Sequence, residues 1–128
     1  MKKCINTNQA PSAIGPYSQA VQFTNIIFCS GQIALDPVSG DIVGENIIEQ
    51  THQVIKNLKN ILESANSSLE NIVRTEVFLK DINDFAGFNE VYAEYFPYEI
   101  KPARFTVEVS NLPRNAKIEI ACIAYTNQ

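Results

Sequence analysis

The chain has 128 residues, 45% of them hydrophobic and 19% charged, the balance of a folded globular protein rather than a disordered one. That length suits one domain, residues 1–128, which buries roughly two-thirds of the surface its unfolded chain exposes. A net charge of −4 argues against nucleic acid as the partner, and neither a membrane-length apolar run nor a hydrophobic signal segment after Met1-Lys2-Lys3 is present, so a cytoplasmic protein is expected.

Ser18 to Phe23 and Ile26 to Gln32 read as two strands about a Thr24-Asn25 turn, after a Gly15-Pro16-Tyr17 segment that breaks any helix. Asp36-Pro37-Val38-Ser39-Gly40-Asp41 has the chemistry of a surface loop. From Ile47 to Ala65 the apolar residues follow helical spacing, with Asn46 as N-cap and Glu49 as its reciprocal partner. Ile72 to Leu79 alternates as a strand. Phe85, Phe88, Val91, Tyr92, Tyr95 and Phe96 then mark a second helix that Pro97 stops. Pro102 to Val109 and Ile118 to Tyr125 complete the order strand, strand, helix, strand, helix, strand, strand. This predicts an α+β fold, a mixed sheet with two helices packed on one face. Cys4, Cys29 and Cys122 are odd in number, widely spaced and without a CxxC pair, so reduced structural cysteines are expected rather than disulfides or a zinc cage.

Among the charges in the last two strands, Arg104 and Glu119 need a reason, because buried charged residues are rare unless paired or functional. Alternation puts Ala103, Phe105, Val107 and Val109 on one face, expected to be the core, and sends Arg104, Thr106 and Glu108 to the other. In the last strand Ile118, Ile120, Cys122 and Ala124 form one face, while Glu119 shares a second apolar face with Ala121, Ile123 and Tyr125. A strand apolar on both sides is covered on both sides, and two helices cover only one, so a second copy of the chain is expected on the other. In that setting Glu119 is a carboxylate whose protonation can be tuned for proton transfer.

The motifs Gly15-Pro16-Tyr17-Ser18-Gln19-Ala20, Ser30-Gly31-Gln32, Phe88-Asn89-Glu90-Val91-Tyr92 and Tyr95-Phe96 run in order along the chain. With Pro102-Ala103-Arg104, Leu112-Pro113 and Ile118-Glu119-Ile120, they make the chain resemble the RidA/YjgF family of reactive intermediate deaminases. The resemblance implies a chorismate-mutase-like subunit, a homotrimer with clefts at the subunit interfaces, and hydrolysis of 2-enamine and 2-imino acids to 2-keto acids and ammonia without a cofactor or metal. Carried over by motif, Arg104 holds the substrate carboxylate, Glu119 orients water and moves protons, and Tyr17, Ser30, Gly31, Asn89 and Thr106 line the cleft. Many members carry Cys where this chain has Thr106 and a small residue where it has Phe105, a position expected to face the core.

Other readings stand beside these. Arg104 suits an interface ion pair, and Glu119 suits a salt bridge to Arg114 or Lys117 across an interface. The only histidine, His52, falls on the polar side of the first helix and is expected to be solvated. The alternative function is a non-catalytic module that senses a small carboxylate metabolite, or docks a partner, in the same cleft.

Overall fold

The computed structural model describes residues 1–127. Six strands form one sheet: β1 (Lys3–Ile5), β2 (Ala20–Phe23), β3 (Ile26–Gln32), β4 (Ile72–Leu79), β5 (Ala103–Glu108) and β6 (Ile118–Tyr125). Their spatial order is β1-β2-β3-β6-β4-β5, with β4 and β5 parallel and the other neighbours antiparallel. Helices α1 (Ile47–Ser64) and α2 (Phe85–Tyr95) cover one face, as the α+β reading expects. The short edge strand β1 is the addition. At three residues it carries too little alternation to be read from sequence, and it is held by pairing with β2.

Helix α1 starts where Asn46 Oδ1 accepts a hydrogen bond from the Glu49 amide at 2.9 Å. The reciprocal bond differs from the expected one, because Glu49 Oε1 accepts from the Glu45 amide rather than from Asn46. Val54, Ile55, Leu58, Ile61 and Leu62 on α1 and Phe88 on α2 bury against Ile27, Val77, Leu79, Ile118 and Ile120 of the sheet. This apolar layer supplies the main hydrophobic stabilisation of the fold. His52 is not simply solvated: its Nδ1 lies 2.7 Å from the Tyr95 hydroxyl, tying α1 to α2.

Among the described residues the opposite sheet face is covered in part, where Phe78 packs against the small cluster of Ile33, Leu112 and Ala116, and it is open over the rest. Phe28, Val107 and Tyr125 are 48%, 42% and 41% exposed there, and Phe78, Phe105 and Ile123 are half-buried among them. Phe105 therefore corrects the expectation that it faces the core. The parallel register sets Arg104 beside Thr75 and Thr106 beside Val77, both fully buried under the helices, so Phe105 and Val107 point to the open face. Alternation separates the two faces of a strand but does not say which one the helices cover, and on this sheet both are apolar.

Candidate functional site

Glu119 rises from β6 on the open face, with Phe78 as its cross-strand partner. Beside it, the pairing of β3 with β6 shifts between Cys29 and Gln32, so that three steps along β3 answer two along β6. The bulge lies at Ser30-Gly31. It brings the Gly31 backbone against the Glu119 side chain so closely that a Cβ at position 31 would lie 2.8 Å from Glu119 Cδ. Any side chain at position 31 would displace Glu119 from its present position. Among the described residues nothing hydrogen-bonds or ion-pairs with the Glu119 carboxylate, and burial pushes its pKa up. Within the chain, Arg114 donates instead to the Gly40 carbonyl at 3.1 Å.

The wall facing Glu119 is the segment before β2. Ser30 clamps it twice: its hydroxyl donates to the Ser18 carbonyl at 2.6 Å and its amide to the Gln19 carbonyl at 2.9 Å. Gln19 is buried, and its amide group bonds Thr7, Ala10 and Pro11, fastening the N-terminal loop to the sheet. Tyr17 is thereby held at the rim, 53% exposed. Tyr17, Gly31, Arg114 and Glu119 line one cleft of about 290 Å³ with Ile14 and Ile33. Ser30 acts on this wall from behind rather than lining it.

Arg104 belongs to a second cleft, of about 480 Å³, on the helix side of the sheet at the β5 edge, with Asn89, Tyr92, Lys101 and Pro102. Its Nη1 donates to Asn89 Oδ1 at 2.8 Å, and its guanidinium lies 4.7 Å from the centre of the Tyr92 ring. Thr106 follows on the same side of β5. Its hydroxyl is buried and, among the described residues, has no hydrogen-bond partner. Of the sequence-predicted residues, then, Tyr17, Gly31 and Glu119 come together, and so do Asn89 and Arg104. The two groups occupy opposite faces of one sheet. Sequence reasoning named Arg114 beside Glu119 only as a salt-bridge partner across an interface, and it missed Tyr92 as a neighbour of Arg104; the signal for Tyr92 was its position four residues after Phe88, on the same helical face.

A larger cleft of about 540 Å³ lies by β1 and the end of α1, lined by Lys3, Asn6, Asn66 and Asn127 among others. It contains none of the predicted residues, and its chemistry, not its size, sets it aside.

The family model described as endoribonuclease L-PSP matches residues 7–126. A RutC family protein of Pyrococcus horikoshii is 55% identical over 98% of each chain. The mouse protein named 2-iminobutanoate/2-iminopropanoate deaminase is 47% identical over 97% of this chain and 91% of its own. Among solved structures, Escherichia coli TdcF with bound serine superposes with a TM-score of 0.92 at 39% identity, covering 98% of this chain and 99% of that one.

Proposed function

This chain belongs to the RidA/YjgF family, and we propose that it hydrolyses 2-imino acids and their enamine tautomers, such as 2-iminopropanoate, to 2-keto acids and ammonia. The observation that carries the reading is Glu119: an unpaired carboxylate, raised in pKa by burial, on a wall that only glycine leaves open. The mouse relative's name and the serine bound to TdcF support a small amino-acid-like substrate.

Arg104 binds the substrate carboxylate through the guanidinium donors that Asn89 leaves free. Glu119 accepts a proton from water as the water oxygen bonds to the imine carbon, giving a tetrahedral carbinolamine. For an imine protonated on nitrogen it then returns that proton to the carbinolamine nitrogen; as the C–N bond breaks and the C=O bond forms, Glu119 takes up the hydroxyl proton and ammonia leaves. A carboxyl whose pKa is raised by burial holds and exchanges that proton more readily than an ordinary glutamate. Since Arg104 and Glu119 point from opposite faces of the sheet, one substrate meets both only where two copies of the chain meet. We therefore propose a homotrimer in which the exposed face bearing Phe28, Val107 and Tyr125 is covered and each cleft takes Glu119 from one copy and Arg104 from the next. Cys29 and Cys122 are cross-strand partners and remain free thiols, which suits a reducing cytoplasm.

The test is turnover of an imine generated in situ, with titration by the 2-keto acid product. Arg104→Ala should lower kcat/KM by about ten- to a hundred-fold and weaken keto-acid binding, the range expected for lost charge-assisted hydrogen bonds. Near-wild-type turnover in folded Arg104→Ala would refute the deaminase reading; keto-acid binding without turnover in the unmutated protein would favour a metabolite-binding module.

A further inference from the structure

The surroundings of Arg104 are unusual for a strand arginine. Phe85, Phe88 and Tyr92 share one face of α2 with Asn89, and their ring centres lie 5.7, 5.3 and 4.7 Å from the guanidinium carbon. Among the described residues no carboxylate pairs with Arg104; its one side-chain acceptor is the neutral Asn89 amide. Aromatic faces attract a guanidinium through their quadrupole without supplying a counter-charge. A carboxylate in the same place would hold the arginine equally well, but it would occupy the donors that a ligand carboxylate needs.

The nearest ring is also the best anchored. The Tyr92 hydroxyl lies 2.7 Å from Thr75 Oγ1, and its ring stacks on Phe96 with centres 4.4 Å apart. Thr75 is fully buried and is the register partner of Arg104 across the β4–β5 pair. Ring and guanidinium are thus fixed to the same pair of strands. Burial raises the Tyr92 pKa, which keeps the phenol neutral under its cation.

We infer that Tyr92 is a positioning residue for the anion anchor: fixed by Thr75 and backed by the rings of Phe85 and Phe88, it holds the Arg104 guanidinium without neutralising it, leaving the donors open to a ligand carboxylate. This rests on reading Arg104 as the substrate anchor. The experiment compares Tyr92→Leu with Tyr92→Phe by three readouts: 2-keto acid affinity, KM against kcat, and the chemical shifts of the Arg104 side-chain protons, assigned by their loss in Arg104→Lys. In the unmutated protein those protons should lie upfield of their random-coil positions, as protons over ring faces do. Tyr92→Leu should move them toward random coil and raise both KM and the keto-acid Kd by about five-fold, the scale of one cation–π contact, with kcat within about two-fold. Tyr92→Phe keeps the ring and should recover most of both effects.

Random-coil shifts for Arg104 in the unmutated protein overturn the inference, and this holds even where Tyr92→Leu fails to fold. So does an unchanged Kd in folded Tyr92→Leu, or equal damage from Tyr92→Phe, which would assign the role to the hydroxyl and the fold. If the unmutated protein neither turns over imines nor binds keto acids, the deaminase reading fails, while the Arg104 shifts still decide the cradle.

Discussion

Replacing Gly31 with alanine puts a methyl group where the Glu119 side chain lies. The added Cβ would sit 2.8 Å from Glu119 Cδ, closer than real Cβ atoms come, and 3.0 Å from Cγ, tighter than most of them come. The contact begins at Cγ, so turning the carboxylate alone does not relieve it and the side chain must leave its present rotamer. Gly31 is exposed, so the chain has room to yield, and the stability cost is that of an off-rotamer side chain, about 1 kcal/mol. For a chain of this size that lowers Tm by roughly 4 °C. The catalytic cost is larger, because moving a reacting group by about 1 Å costs on the order of a hundred-fold in rate. Gly31→Ala is therefore expected to fold, to bind 2-keto acids nearly as the unmutated protein does, and to lose about a hundred-fold in kcat. Calorimetry, keto-acid titration and imine turnover on one preparation separate the three quantities. Wild-type kcat in Gly31→Ala would show that Glu119 either does not act from this position or does not act at all.

Three further outcomes follow from the same geometry. Burial raises the Glu119 pKa above 4.5, so the folded state favours its protonated form: the stabilisation is present at acid pH and is lost as pH rises through the raised pKa. Glu119→Gln should accordingly stabilise the protein relative to wild type at pH 7, with the difference in Tm shrinking toward pH 4, and should remove the acid limb of the pH–rate profile. Thr106→Val replaces a buried hydroxyl that has no partner among the described residues, so stability should hold or rise by about 1 kcal/mol while keto-acid affinity falls if that hydroxyl meets the ligand; thermal melts and titration check both. Val107→Glu places a charge on the exposed apolar face; if the proposed trimer covers that face, light scattering should report a monomer, with turnover lost because the two clefts would not meet.

Much of this architecture is legible in the chain because its signals are local. The spacing from Ile47 to Leu62 specifies a helix with one apolar face, Asn46 caps it, and the alternation in β4 and β6 survives almost unchanged in the sheet. Glu119 could be placed off the helix-covered face because Ile118, Ile120 and Cys122 occupy the other side of the same strand. What the chain could not tell is the side of the sheet that each face of β5 meets. Phe105 and Val107 are more apolar than Arg104 and Thr106, yet the pairing of Arg104 with Thr75 puts the charge on the helix side of the sheet, exposed at its edge, and the phenylalanine on the other side. A guanidinium tolerates that place because β5 is the edge strand and α2 offers it three ring faces and an amide, none of which is adjacent to it in sequence. The bulge at Ser30-Gly31 is equally invisible in one dimension, since it exists only as a mismatch in count between β3 and β6. Side-chain pattern is a property of one segment; the facing of a strand and the meeting of Gly31 with Glu119 are properties of pairs of segments, and only the folded chain brings those pairs together.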